Sequence, residues 1–157
     1  MAEGSHWDFH RLQMVDIGAK ETTLRIARAS ACVRMQPETL DRLRRGQLPK
    51  GDVLQAARVA GIMAAKRTAE LIPLCHPVPL DVVRVEFSFP DSSTAAIEAE
   101  ARATARTGVE MEALTAAAVA ALTIYDMCKS LDRAMVIQQI QLEEKSGGKS
   151  GHFLRSS

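Results

Sequence analysis

The sequence predicts a single α+β domain in which helices cover one face of an antiparallel sheet. Two observations carry this prediction: four segments alternate between apolar and polar residues as strands do, and three segments show helical spacing with recognisable ends. The chain has 157 residues, of which 46% are hydrophobic and 25% charged, and this is the length and composition of one globular domain.

The first half predicts one strand and two helices. Residues 22–35 partly alternate, which indicates the first strand. Pro37 then opens a short helix that Gly46 closes. Asp52 can cap a second helix that runs to about residue 71 and is rich in alanine, so that another element can approach it closely. Three prolines make residues 71–80, LIPLCHPVPL, an extended loop.

The second half predicts a hairpin, a long helix and a last strand. Residues 82–89 and 94–104 are strands on either side of the turn PDSS. A long helix over residues 108–132 precedes a strand over about 135–143, and the glycine-rich segment KSGGKSG is expected to end the ordered part. The order is β-α-α-β-β-α-β. Without one helix, this is the split βαβ pattern of a ferredoxin-like sandwich.

Charge and cysteine content exclude several functional classes. A net charge of +1 argues against nucleic acid and anionic membranes as partners. A nucleotide- or RNA-binding module is the second hypothesis, but one Trp, one Tyr and four Phe offer few stacking residues for it. Three widely spaced cysteines are no disulfide framework and favour a reducing, cytoplasmic setting.

The long helix is the most informative segment, because ionisable residues interrupt its apolar sequence. Glu110, Glu112, Asp126 and Lys129 are costly to bury without a partner, so they are candidates for acid–base chemistry. A solvated helix face and a plain surface ion pair between Asp126 and Lys129 are the alternatives. The helix is also too short between Glu112 and Asp126 to span a membrane.

Helix geometry constrains how these groups can cooperate. Glu112 and Asp126 are 14 residues apart, or about 21 Å along a straight helix. Either they serve different sites, or a second subunit brings its Glu112 to the Asp126 of its neighbour. The small-residue helix surfaces favour the second arrangement, so we expect a homo-oligomer with sites at subunit interfaces.

The proline-rich loop and the lysines supply further candidates. Prolines around Cys75 and His76 can fix the angle of the histidine, although a packing or surface histidine is the alternative. These two residues with Glu112 give a third hypothesis, a metal-dependent hydrolase, but the spacing is not that of a zinc site. Lys50, the Lys66–Arg67 pair, Lys145 and Lys149 could bind a di- or triphosphate. KSGGKSG itself is no P-loop, because Glu143 stands where its first glycine is needed.

Four segments carry a resemblance to a known family: MVDIGAK at 14–20, KGDVLQAARVAGIMAAKRTAELIPLCHP at 50–77, TGVEMEALTAAAVAALTIYDMCK at 107–129, and KSGGKSG at 145–151. Together they resemble the molybdenum cofactor biosynthesis protein C family, the cyclic pyranopterin monophosphate synthases, over about residues 5–153. The resemblance implies a ferredoxin-like fold, a homohexamer built as a trimer of dimers with active sites at the dimer interface, and no organic cofactor. The implied reaction converts (8S)-3′,8-cyclo-7,8-dihydroguanosine 5′-triphosphate to cyclic pyranopterin monophosphate and pyrophosphate.

The resemblance also implies roles for individual residues. The family's catalytic aspartate falls on Asp126, with Lys129 as its catalytic neighbour. Substrate contacts fall on Leu74, Cys75, His76, Met111, Glu112, the nearby Glu110, Lys50, Lys66 and Lys145, and no metal ligand is implied. Arg106 stands where a lysine is also common, and His152 is assigned no role. The polar, mixed composition of residues 1–20 predicts a partly ordered N-terminal arm, and residues 21–157 are expected to form a single catalytic domain.

Overall fold

The computed structural model of this protein describes residues 11–157, and the N-terminal histidines His6 and His10 lie outside that range. The regular elements are, in chain order, β1 (Thr23–Arg34), α1 (Pro37–Arg44), α2 (Val53–Lys66), α3 (Thr68–Leu71), β2 (Val82–Asp91), β3 (Thr94–Ala105), α4 (Glu110–Cys128), β4 (Val136–Ser146) and β5 (Phe153–Leu154). The strands form one antiparallel sheet in the order β2-β3-β1-β4-β5, and the helices lie on one side of it. The ferredoxin-like α+β prediction is confirmed.

Alanine dominates the contact between the sheet and α4. The core-facing positions of β1 and β3 alternate strictly with outward-facing ones and are mostly alanine, as at the paired residues Ala29 and Ala99, both 0% exposed. The inner face of α4 is also alanine, including Ala116, Ala117 and Ala120. Because these side chains are short, α4 lies close to the sheet and its position is tightly fixed.

The helix expected over residues 52–71 is two helices, so that prediction is wrong in this detail. α2 is capped by Asp52, whose carboxylate accepts a hydrogen bond from the Gln55 amide at 3.1 Å. It ends because Arg67 leaves the helical conformation, with φ −113° and ψ 13°. The buried Thr68 hydroxyl then donates to the Ala65 carbonyl at 2.9 Å and satisfies part of the open helix end.

The long helix α4 is also shorter than expected and ends at Cys128 instead of residue 132. Asp132 is withdrawn from the helix because its carboxylate accepts a hydrogen bond from the Gln36 amide at 2.8 Å, at the start of α1. The same carboxylate accepts from the Ala134 amide at 3.2 Å. One buried carboxylate therefore closes the turn after α4 and caps a distant helix.

Order continues past the glycine-rich segment, contrary to our expectation. β4 runs to Ser146, the chain turns through three glycines with positive φ, and β5 pairs back on β4 with Lys145 opposite Phe153. Gly147 and Gly148 have φ of 101° and 75°, a backbone conformation that side chains disfavour. The turn therefore returns the chain end to the sheet edge.

Candidate active site

The largest group of predicted site residues lines one cleft between the proline-rich loop and the start of α4. All six predicted residues from these two segments line this cleft of about 300 Å³: Leu74, Cys75, His76, Glu110, Met111 and Glu112. Val15, Ile17 and Lys20 close it from the segment before β1. Its size and mixture of apolar and polar walls are those of a small-molecule site.

Burial shifts the ionisable groups at the inner wall of this cleft. Glu112 is 4% exposed, and burial raises the pKa of its carboxyl, with a further rise from the nearby Glu110 charge. Within residues 11–157, no side chain donates a hydrogen bond to the Glu112 carboxylate. Burial also raises the pKa of the Cys75 thiol, and the Glu112 charge adds to it. Cys75 is therefore a neutral contact group in this cleft and no activated nucleophile.

A second, strongly basic cleft of about 170 Å³ adjoins the first. The two share Lys20, Thr107, Gly108 and Glu110, while Arg25, Arg106 and Lys145 belong to the second alone. Lys145 Nζ lies 2.9 Å from Glu110 Oε1 and 3.1 Å from Ser150 Oγ. Four cations against one carboxylate make this cleft suited to a multiply charged anion.

Lys66 lies on the far side of the proline-rich loop. It lines a cleft of about 370 Å³ together with Arg67, Pro77 and Pro79, and Glu112 forms part of that wall as well. Glu112 is thus shared between the clefts on both sides of the loop. Lys66 therefore lines the same cleft as Glu112, without an ion pair between them, and does not join the groups at the other end of α4.

The predicted catalytic pair forms a separate cluster at the C-terminal end of α4. Asp126 is 53% exposed and accepts hydrogen bonds from Lys129 Nζ at 2.8 Å and Lys50 Nζ at 2.9 Å. These bonds, that to Lys129 first, lower the pKa of Asp126 to about 2. Within one chain this pair is open to solvent, so its acid–base role at a subunit interface would require a second chain and stays a prediction.

Contrary to the prediction from the Glu112–Asp126 interval, helix α4 is long and apolar enough to cross a membrane by length and composition alone. Half of its most apolar stretch is buried in the domain, and core helices pass the same test.

As for metals, no group of three or more His, Cys, Asp and Glu side chains among residues 11–157 could hold an ion.

Comparison with known proteins identifies the family of this chain. Residues 14–148, most of the chain, match the sequence model of the MoaC family. The chain belongs to the MoaC family. It is 61% identical over 147 residues to a protein of Herpetosiphon aurantiacus, covering 93% of this chain and 90% of the relative. It is 58% identical over 156 residues to one of Roseiflexus sp., covering 98% and 99%, and 55% identical over 154 residues to one of Desulfitobacterium hafniense, covering 98% and 94%. All three relatives are named cyclic pyranopterin monophosphate synthase.

Sequence reasoning missed part of the basic cleft of this MoaC-family chain. Lys20 lies in a segment that carries the resemblance but received no role, and Arg25 and Ser150 were not considered. Arg25 had a usable signal, because it stands in phase with the core-facing alanines of β1 and is the only cation there. Ser150 had none, since its contact with Lys145 depends on the turn between β4 and β5.

Proposed function

We propose that this protein is a cyclic pyranopterin monophosphate synthase of molybdenum cofactor biosynthesis. It converts (8S)-3′,8-cyclo-7,8-dihydroguanosine 5′-triphosphate to cyclic pyranopterin monophosphate and releases pyrophosphate. The observation that carries the proposal is the near full-length identity, 61% over 147 residues, to a protein of that name. The adjoining clefts supply a chemically suitable place for such a substrate.

The substrate is proposed to lie across the two adjoining clefts. The purine-derived ring fits the larger cleft, where His76, Met111 and Glu112 offer polar and apolar contacts. The triphosphate then extends into the basic cleft towards Lys20 and Lys145. Cations placed there stabilise the charge that develops on pyrophosphate as the cyclic phosphate closes. Lys66 adds a cation from beyond the loop.

Proton transfer is proposed for the cluster at the other end of α4. With a pKa of about 2, Asp126 is a carboxylate near neutral pH and holds the ammonium groups of Lys129 and Lys50 together. Lys129 donates a proton to the rearranging ring, and Asp126 becomes an effective base when substrate draws a lysine away from it. This division of roles explains why one carboxylate is shared by two lysines.

The two ends of α4 are proposed to meet across a dimer interface in a homohexamer, a trimer of dimers. Glu112 and Asp126 are about 21 Å apart along one helix, too far for one substrate pocket in a single chain. Exposed apolar residues on α2 and α4, namely Val59, Met63 and Leu122, offer surface for such an interface. We also propose a cytoplasmic location, in keeping with three free cysteines.

The activity is tested by incubating the purified protein with the cyclised nucleotide and following cyclic product and pyrophosphate by mass spectrometry. Asp126→Asn and Lys129→Ala are expected to lose turnover. Asp41→Asn is the matched control, because it breaks an exposed ion pair between α1 and Arg45 at the end of that helix. Near-native turnover by either α4 variant contradicts the assignment. Loss of activity on exhaustive chelation would instead favour a metal-dependent reaction.

The shared site is tested by mixing two inactive variants in one oligomer. In the proposed dimer, each interface site takes Asp126 from one chain and His76 from the other. When an Asp126→Asn chain pairs with a His76→Ala chain, one site therefore contains both substitutions and the other contains neither. Random pairing is therefore expected to restore about a quarter of wild-type activity. If every site is completed within one chain, mixed oligomers stay as inactive as the separate variants.

A further inference from the structure

Arg25 is an unusual residue at its position. It stands on the core face of β1, 9% exposed, where its neighbours in phase are alanines. No carboxylate pairs with it among the residues that the structure describes. Its guanidinium instead donates to three backbone carbonyl oxygens: Ala105 at 3.4 Å, Arg106 at 3.3 Å and Gly147 at 3.2 Å. A buried cation whose partners are all backbone groups needs a reason to be there.

These three carbonyls belong to two segments that both carry site residues. Ala105 ends β3, and Arg106 begins the short segment that leads into α4, whose first residue is Glu110. Gly147 follows directly on β4, which carries Lys145. The Lys145–Glu110 ion pair at 2.9 Å therefore joins the same two segments that Arg25 joins from the core side.

The glycine pair of the turn is shaped around this guanidinium. A Cβ atom at Gly148 would overlap the Arg25 side chain, and one at Gly147 would overlap the Leu24 carbonyl. The turn can therefore lie directly on Arg25 only because both residues lack side chains. Close packing against Arg25 and the hydrogen bond from its guanidinium to the Gly147 carbonyl together define the position of residues 145–150.

We propose that Arg25 is a positioning residue that holds Lys145, in the basic cleft, in register with Glu110, which lies in the wall shared by the two clefts. The inference rests on the proposed function of those clefts. A planar guanidinium reaches acceptors on two segments at once, whereas the ammonium of a lysine is a single point with a different reach. Arg25 acts through Lys145, so its loss matters for turnover by displacing that group.

The test compares Arg25→Lys and Arg25→Ala with Arg28→Ala. Arg28 is a matched control, because it lies on the same strand but faces the opposite side of the sheet, where it pairs with Glu98 and Glu144. We expect both Arg25 variants to fold and to lose about 10- to 100-fold in kcat, the effect of slight misplacement of a reacting group, with a smaller change in KM. Wild-type turnover by Arg25→Lys would overturn the proposal.

A double-mutant cycle with Lys145→Gln separates positioning from an independent role. If Arg25 acts through Lys145, the Arg25→Lys/Lys145→Gln protein is expected to be no slower than Lys145→Gln alone. Losses that multiply would show that Arg25 acts on its own, for instance by contacting the substrate directly, and would overturn the proposal.

Hydrogen exchange gives a readout that does not depend on the proposed reaction. Amides of residues 106–110 and 145–151 are expected to exchange faster in Arg25→Ala than in the wild type, and to be unchanged in Arg28→Ala. Unchanged exchange in Arg25→Ala would overturn the positioning role. If the wild type does not turn over the cyclised nucleotide, the proposed function fails, and the exchange data still decide the role of Arg25.

Discussion

Replacing Glu112 by glutamine is expected to stabilise the protein while reducing its activity. Glu112 is 4% exposed, and burial raises the pKa of its carboxyl, with a further rise from the nearby Glu110 charge. No cation within residues 11–157 forms an ion pair with it. Glutamine has nearly the same size and shape, so the substitution removes the charge and leaves the packing intact. A gain in stability at a site residue is typical where function requires an unfavourable group.

The size of the gain follows from burial of a charge that has no cation as a partner. The Glu112 carboxylate accepts a hydrogen bond from its own backbone amide, but no cation among residues 11–157 forms an ion pair with it. Leaving a buried group incompletely satisfied costs about 1–3 kcal/mol, and more where the group is charged. The buried amide retains part of that cost, so the free energy of unfolding is expected to rise by about 1 kcal/mol at pH 8. For a chain of this length, that corresponds to an increase in Tm of about 2–4 °C.

The gain depends on pH with a definite sign. Because the pKa of Glu112 in the folded state lies above its ordinary value of 4.5, the folded state holds this proton more tightly than the unfolded state does. The neutral carboxyl is therefore tolerated below that ordinary value, and stability is lost as the pH rises through the folded-state pKa. The two proteins should have similar Tm at pH 4 and diverge above it.

Scanning calorimetry at pH 4, 6 and 8, at one protein concentration, measures this difference. Glu110→Gln is the matched control, because Glu110 is 37% exposed and pairs with Lys145 at 2.9 Å, so its loss should not raise Tm. A lower Tm for Glu112→Gln at pH 8 would refute the reasoning. It would mean that a cation outside the single chain, such as one from a second subunit, neutralises the carboxylate in the assembled protein.

Three other perturbations are expected to give clear results. Lys129→Ala should raise the pKa of Asp126 from about 2 towards 3.8, as measured by carbon NMR of the carboxyl, and an unchanged value would contradict the role of this pair. Asp132→Ala removes the cap on the Gln36 amide and should lower the free energy of unfolding in urea by about 1–2 kcal/mol; an unchanged midpoint and slope would exclude the cap. Gly61→Ala places a Cβ atom 2.9 Å from the Ala116 carbonyl oxygen. The packing cost of about 1–3 kcal/mol should outweigh a helix-propensity gain of about 1 kcal/mol, so we expect a lower Tm. A higher Tm would show that α2 moves away from α4 at little cost in free energy.

The sheet could be predicted because its central strands alternate strictly. In β1 every second residue from Ala27 to Val33 faces the core, and this period of two is visible in the sequence. The break after α2 could not be predicted, because the helical sequence pattern continues through Arg67, where the backbone leaves the helical conformation. β5 has only two residues, too few for any periodicity, and it forms because the preceding turn returns it to β4.

The candidate site could be predicted in its residues but only partly in its grouping. Spacing along α4 alone separates Glu112 from Asp126, and the structure keeps them in two clusters. The approach of Lys50 to Asp126 joins residues 76 positions apart, and no local pattern contains it. Arg25, in contrast, was missed although the local pattern contains the information. A charged residue within a strand is ordinarily assigned to the solvent side, and only its phase against the alanines shows otherwise.

Helix α4 also sets the distance and the angle between the cleft residues at its start and the Asp126 cluster at its end. Adding or deleting one residue inside it would turn one cluster by about 100° relative to the other and shift it by about 1.5 Å. Changes in chain length are therefore expected to be tolerated in surface turns, such as the one between β2 and β3, and not within α4. Attempts to lengthen or shorten the protein should begin there and leave the span from Glu110 to Cys128 untouched.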